Sequence, residues 1–86
     1  MIIETDDYRL LIPNCFRISV SQKFREITIY HKKEEELIIK ICSLEKYLLV
    51  SLSPRFKIAK LNEQNVIFIH GELWINIIAT KPVMIA

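Results

Sequence analysis

Apolar residues alternate with polar ones over much of the 86-residue chain, and alternation with period two is the signature of strands with one buried face. Residues 8–12 place Tyr8, Leu10 and Ile12 on one face and Arg9 and Leu11 on the other. A short strand over 2–5 precedes them, joined by an Asp6-Asp7 turn. Residues 26–31 put Ile27 and Ile29 inward and Thr28 and Tyr30 outward. The charged run Lys32-Lys33-Glu34-Glu35 is a hairpin loop, and 36–42 is the returning strand, with Leu37, Ile39 and Ile41 on the buried face. The pattern then restarts. Residues 47–52 alternate with Leu48, Val50 and Leu52 on one face. Residues 65–70 place Ile67 and Ile69 inward, and Gly71 turns the chain into a last strand over 72–79 with Leu73, Ile75 and Ile77 inward. The tail from Lys81 is expected to be irregular.

Prolines interrupt this pattern twice. Proline lacks the N–H a sheet ladder needs but suits the first turn of a helix. Pro13 therefore predicts a short helix over 14–21, although Ile, Val and Ser are poor helix formers. Ser53-Pro54 offers an N-cap and a first helical residue, predicting a helix over 55–61 with Phe56, Ala59 and Ile58 inward and Asn62 as its stop.

Shifted by forty residues, Phe16-Arg17-Ile18 falls on Phe56-Lys57-Ile58, and Ile27 and Ile29 fall on Ile67 and Ile69. After the charged loop the shift becomes thirty-six, and Glu36-Leu37, Ile39 and Ile41 fall on Glu72-Leu73, Ile75 and Ile77. This order of matches predicts an internal duplication, repeats 1–44 and 45–82 of one domain spanning 1–86. Each repeat is strand, short helix and β-hairpin, too small to hold a core alone. The expected fold is mainly β, with the two repeats interleaved about a pseudo-two-fold axis to close a small barrel.

Composition adds bounds. A hydrophobic content of 51% in so short a chain predicts a homo-oligomer that completes its burial by association. The longest apolar stretches are broken by Lys40, Glu45, Lys46 and Asn76, so no membrane span is expected. No basic N-terminal region leads into an apolar stretch, and Cys15 and Cys42 lie in unrelated contexts that suit reduced thiols, so a cytoplasmic location is expected. Residues 1–45 carry seven Lys/Arg against eight Asp/Glu, and residues 46–86 five against two, leaving the second half the more cationic. His31 and His70 sit at strand ends with no carboxylate pair, Cys–His pairing or Gly-rich loop beside them in sequence. No enzyme, cofactor or metal site is expected.

The run Asp6-Asp7-Tyr8-Arg9-Leu10-Leu11-Ile12-Pro13 with Arg17, followed by Ile27-Thr28-Ile29-Tyr30 and Glu36-Leu37-Ile38-Ile39-Lys40, resembles the SpoVT/AbrB family. That family's pattern is an acidic turn, Gly-Arg, two apolar residues, Ile-Pro, a helix containing Arg, and a hairpin. The resemblance covers residues 2–42 directly and 45–79 through the repeat, and two copies in one chain are similar to the tandem arrangement of the MraZ proteins. Tyr8 stands where the family has Gly, Leu49 occupies the position of Arg9 in the second half, and Pro54 lies one residue late. The resemblance implies a swapped-hairpin barrel that binds duplex DNA as a transcription regulator or antitoxin, with arginines at the strand–helix junction, here Arg9 and Arg17. The candidate DNA set is completed by Lys23 and Arg25 from the first half and by Arg55, Lys57 and Lys60 from the second. The alternative is a non-catalytic interaction or oligomerisation module, with a toxin as one class of partner. Its candidate interface is Leu49, Val66, Phe68, Trp74 and Ile78, apolar residues that the alternation points away from the core.

Overall fold

The computed structural model describes residues 1–86 as ten strands with no helix. They are β1 (Ile2–Glu4), β2 (Tyr8–Leu11), β3 (Phe16–Ser21), β4 (Glu26–His31), β5 (Leu37–Ser43), β6 (Leu48–Leu52), β7 (Lys57–Leu61), β8 (Asn65–His70), β9 (Leu73–Ala79) and β10 (Val83–Ile85). Two five-stranded sheets form, in the orders β1-β2-β9-β8-β7 and β10-β6-β5-β4-β3. Both contribute to one cluster of 18 buried apolar residues, in which Leu10, Phe68, Ile75 and Ile77 from the first sheet join Phe16, Ile29, Ile39, Ile41 and Val50 from the second.

Neither expected helix exists. Residues 14–21 are a turn followed by β3, because Phe16, Ile18 and Val20 alternate with Arg17, Ser19 and Ser21 and their β-branched side chains suit a pleated surface. Pro13 opens a four-residue turn in which the Phe16 N–H donates to the Pro13 carbonyl at 3.5 Å. Pro54 serves the equivalent turn, where the Phe56 N–H donates to the Ser53 carbonyl at 3.0 Å, with proline at the second position, whose φ it matches. Both prolines mark chain reversals, and the residues after Pro54 continue as β7.

The expected barrel is absent as well. The terminal strands of each sheet, β1 and β7 in one and β10 and β3 in the other, have no further partner, so four edges stay open. The tail expected to be irregular forms β10, which runs parallel to β6 with Val83 opposite Leu48.

The pairing is equivalent in the two sheets. Leu10 of β2 faces Ile77 of β9, and Val50 of β6 faces Ile41 of β5. β1 and β2 thus extend the β7–β9 set and β10 and β6 the β3–β5 set, so each sheet takes two strands from the other half of the chain. Ile27 and Ile29 face Ile41 and Ile39, and the equivalent pairs in the other sheet are Val66 with Ile77 and Phe68 with Ile75. The offset between β4 and β8 is therefore thirty-nine, not forty. Because side chains alternate with period two, a slip of one residue turns the whole strand over. Val66 and Phe68, expected outward, are fully buried, while Ile67 is half-buried and Ile69 exposed, on the outside. The cause lies in the preceding hairpin: β7 carries a bulge at Ala59, and three residues rather than four connect it to β8. In β5 a bulge at Ile38 likewise leaves Leu37 exposed and buries Ile38. Ile58 and Ala59, expected inward, are exposed on the edge strand.

The Asp6-Asp7 turn is tied into both sheets through one carboxylate. The Asp7 carboxylate accepts from the Ser43 hydroxyl and from Arg25 Nη2 at 3.0 Å, with Lys81 Nζ at 3.5 Å. The Asp7 carbonyl accepts the Thr80 N–H at 2.9 Å. The hydrogen bond from Ser43 is the largest of the influences that hold the Asp7 carboxyl below its ordinary value, outweighing partial desolvation, and Lys81 and Arg25 add to it. A depressed folded pKa contributes stability that is fully present above the unfolded pKa and is lost as pH falls through the folded one. The Asp7 side chain is 22% exposed, and a charged hydrogen bond at such a site is worth about 1–2 kcal/mol. Asp7→Asn is expected to lower the stability measured by urea unfolding at pH 7 by that amount. The gap to the wild type should close as the pH falls below about 4, and a gap that persists at pH 2 would show that the carboxylate charge is not its source.

Candidate functional site

The two sheets turn different chemistry outward. On the second sheet the outer rows run Arg17–Tyr30–Leu37, Ser19–Thr28–Lys40–Ser51 and Ser21–Glu26–Cys42–Leu49–Met84, polar in the central row with Leu37 and Met84 exposed on either side. On the first sheet the corresponding central row is Ile2–Leu11–Asn76–Ile67–Lys60. Trp74 faces Ile69 on one side of that row, and Ile78 faces Arg9 and Asn65 on the other. Trp74, Ile69 and Ile78 are each about two-fifths exposed and Ile2 is 63% exposed. At matched positions Ile67 stands where the second sheet has Thr28, Leu11 where it has Ser51, and Ile78 where it has Cys42.

This face is apolar without orphaned polar groups. Asn76, in its middle, donates from Nδ2 to Asn65 Oδ1 at 2.9 Å and to the Val66 carbonyl at 3.0 Å. Both hydrogens of its amide nitrogen are thus used within the sheet. Along β7 the face is bordered by Lys57 opposite Ile69 and Lys60 opposite Ile67, and neither lysine is in an ion pair. On the β1 side Arg9 is paired with Glu4 at 3.0 Å. The hairpin between β8 and β9 needs a positive φ at its first loop residue, which Gly71 supplies at 60°. That tight turn keeps Ile69 and Trp74 in register.

The two candidate sets from the sequence are divided by this arrangement. Trp74 and Ile78 lie together on the first sheet's outer face, whereas Leu49 lies half-buried on the second sheet beside Met84 and Cys42. Val66 and Phe68 are core residues, and Ile67 and Ile69 take the outward places assigned to them. The seven cations are spread over both sheets and two turns. Arg9, Lys57 and Lys60 belong to the first sheet. Arg17 is on the second, its guanidinium 4.8 Å from the centre of the Tyr30 ring. Lys23 lies 5.5 Å from the Phe24 ring in the β3–β4 turn, where Arg25 is bound to Asp7. Arg55, in the β6–β7 turn, is held by Glu36 at 2.9 Å and Glu34 at 3.7 Å. With no helix present there is no strand–helix junction to display Arg17, which sits within a strand.

One assembly was not foreseen from the chain order. His31 and His70 occupy matching places at the ends of β4 and β8, each ring against an equivalent phenylalanine, Phe16 at 6.0 Å and Phe56 at 5.5 Å between centroids. Both line a small pocket with Glu34, Glu36 and Arg55. The signal for it was the recurrence of Phe and His near the offset of forty, which brings the two hairpin ends together. Arg55 already engages both carboxylates, and no group of three His, Cys, Asp or Glu side chains is placed to hold a metal ion. A wider cleft of about 430 Å³ opens beneath the Asp6-Asp7 turn, against Val20 and Ile27. Its carboxylate, Asp7, is taken up by Ser43, Arg25 and Lys81, and burial pushes the Tyr8 hydroxyl up so that it stays neutral. Glu34 and Glu36 in the one recess and Asp7 and Glu26 in the other are already held by cations or a hydroxyl. The outer face of the first sheet is the surface left without a partner.

Comparison of the chain with protein-family models, with curated proteins and with solved structures returns no match.

Proposed function

We propose that the protein is a non-catalytic β-sheet interaction module that docks a protein partner on the outer face of its first sheet. The supporting observation is the contrast between the central outer rows of one pairing scheme, Ser19–Thr28–Lys40–Ser51 on the second sheet and Leu11–Asn76–Ile67 on the first, the latter flanked by Ile69, Trp74 and Ile78. A large exposed aromatic among aliphatic side chains, with cations at the border, has the composition of an interface centre and rim. The unpaired Lys57 and Lys60 select the partner's chemistry: an apolar strip flanked by carboxylates.

Trp74 is the single tryptophan, so its emission reports directly on this face. Titration with a tryptophan-free strand peptide of alternating leucine and glutamate is expected to shift Trp74 emission to shorter wavelength. A leucine–lysine peptide of the same pattern should bind at least roughly ten-fold more weakly, since roughly 1.4 kcal/mol of charge preference gives that ratio. Ile78→Asp should abolish the shift without changing the melting temperature, and Lys57→Glu with Lys60→Glu should reverse the peptide preference. Equal affinity for both peptides, or binding untouched by Ile78→Asp, would overturn the proposal. Duplex DNA that binds with steep salt dependence, leaves Trp74 emission unchanged and is released by Arg9→Ala with Arg17→Ala would replace it with the regulator of DNA that the sequence resemblance implies.

A further inference from the structure

The four open sheet edges are not alike. β1 and β10 are three residues long and offer little to pair with. β7 is longer, but it carries Lys57, Lys60 and the bulge at Ala59, and charged side chains and bulges are how proteins protect an edge from pairing. β3 carries one charge, Arg17 at the place of Lys57, and its ladder has no bulge. All six residues from Phe16 to Ser21 pair one-for-one with β4 without irregularity. Where β7 has Lys60, opposite Ile67, β3 has Ser19, opposite Thr28. On the core side of this edge Val20 is 60% exposed, and Phe24 just beyond it is 64% exposed.

From this we infer that β3 is a pairing edge and that its occupant is β3 of a second copy, joined antiparallel about a two-fold axis through Ser19. The two five-stranded sheets would then run on as one ten-stranded sheet. A two-fold pairing keeps each side chain on its own face, so only residues of the same parity can face each other. Centring it on Ser19 sets Ile18 against the partner's Val20, twice over, on the core side, covering the apolar strip that is open in one chain. On the outer side it sets Arg17 against the partner's Ser21. The next residue in that row, one strand further in, is Glu26, paired with Ser21 in the β3–β4 ladder. Serine is short, so the Arg17 side chain can cross it to the partner's Glu26, whose carboxylate would then be shared with Lys40 at 3.6 Å, and symmetry repeats the contact. Apolar side faces apolar side and cation faces carboxylate, which an unrelated peptide supplies only by chance and a second copy supplies by construction. This edge lies on the second sheet, apart from the outer face of the first, and its test fails or succeeds separately from the docking proposal.

Sedimentation velocity at rising protein concentration is expected to show a species of twice the 10.2 kDa chain mass. Val20→Lys places a charge on the apolar side of the β3 edge, where it opposes pairing. Because Val20 is already exposed, the variant should keep its melting temperature and circular dichroism and sediment as a monomer. In a chain with Cys15→Ser and Cys42→Ser, Ser19→Cys should form a disulfide-linked dimer on mild oxidation. Directly opposed antiparallel residues hold their Cβ atoms roughly 4.5–5.5 Å apart, close to disulfide reach. Thr28→Cys in the same background, one strand further from the axis, should stay unlinked. A wild type that remains monomeric throughout overturns the inference. So does a dimer that survives Val20→Lys with no Ser19→Cys cross-link, and so does one dissolved by Ile78→Asp alone, which would seat the second copy on the outer face of the first sheet.

Discussion

Phe68→Ala is expected to cost about 3–5 kcal/mol, the usual loss when a fully enclosed phenylalanine is truncated and its cavity only partly collapses. Phe68 has no exposed surface and faces Ile75 in the centre of the first sheet. For a chain of this length the whole stability is of the order of 4–13 kcal/mol, so the variant should be largely unfolded by mild urea or modest warming. The adjacent substitution Ile69→Ala should cost less than about 1 kcal/mol, since Ile69 is 41% exposed on the opposite side of the same strand. The pair of measurements reads the register of β8 directly. If Ile69→Ala proved the more damaging, β8 would present its other face to the core, and Trp74, which faces Ile69, would turn inward with it.

The second large effect concerns strand exchange. A chain cut in the turn between β5 and β6, giving fragments 1–44 and 45–86, should lose its cooperative thermal transition in each fragment alone. In fragment 1–44, β2 would have only the three-residue β1 beside it, and the β3–β5 sheet would lose β6 as its neighbour and the first sheet as its cover. Core residues such as Ile29, Ile39 and Ile41 would then face water, and a sheet of this size with one exposed apolar face does not hold together. Mixing the fragments should restore both the transition and the native circular dichroism spectrum, because β2 and β6 can each regain their places among the other fragment's strands. A cooperative transition in fragment 1–44 by itself would show that the exchange is not what closes the core.

These two expectations rest on different parts of the chain, and they differ in how far the sequence foreshadows them. Tyr8, Leu10 and Ile12 read as an inward stripe and are buried, and the same holds for Ile27 with Ile29, for Ile39 with Ile41, and for Leu48 with Val50. Alternation is legible there because no bulge falls within those stretches; in β5 it fails at Leu37, before the Ile38 bulge. β8 reads wrongly because both of its parities are apolar: Val66 and Phe68 compete with Ile67 and Ile69, and hydrophobicity alone does not separate them. The choice is made by the Ala59 bulge and the shorter turn after it, and neither carries a distinctive residue signature. Proline likewise signals a break in the ladder without specifying the next element. At Pro13 and Pro54 a reversed strand wins over a helix because Ile18, Val20, Ile58 and Leu61 have sheet neighbours that repay extended geometry.

The candidate surface shows the same division. Trp74 and Ile78 were recognisable as outward apolar residues because β9 keeps a clean alternation around Ile75 and Ile77. Ile69, Ile67 and Leu11 join them only through cross-strand pairing, and Leu49 leaves them because β6 belongs to the other sheet. Lys57 and Lys60 were singled out as cations for DNA; their place at the border of an apolar face results from β7 being the edge of that sheet. Sequence by itself determined that the chain is mainly β, where most strands run, and which side of most of them is apolar, since each is a local property of period and composition. Tertiary structure decided the sheet to which each strand belongs, the orientation of β8, the absence of closure and the surface left uncovered. Those outcomes depend on bulges, turn lengths and pairings between residues far apart in the chain, where a shift of one position reverses a whole face.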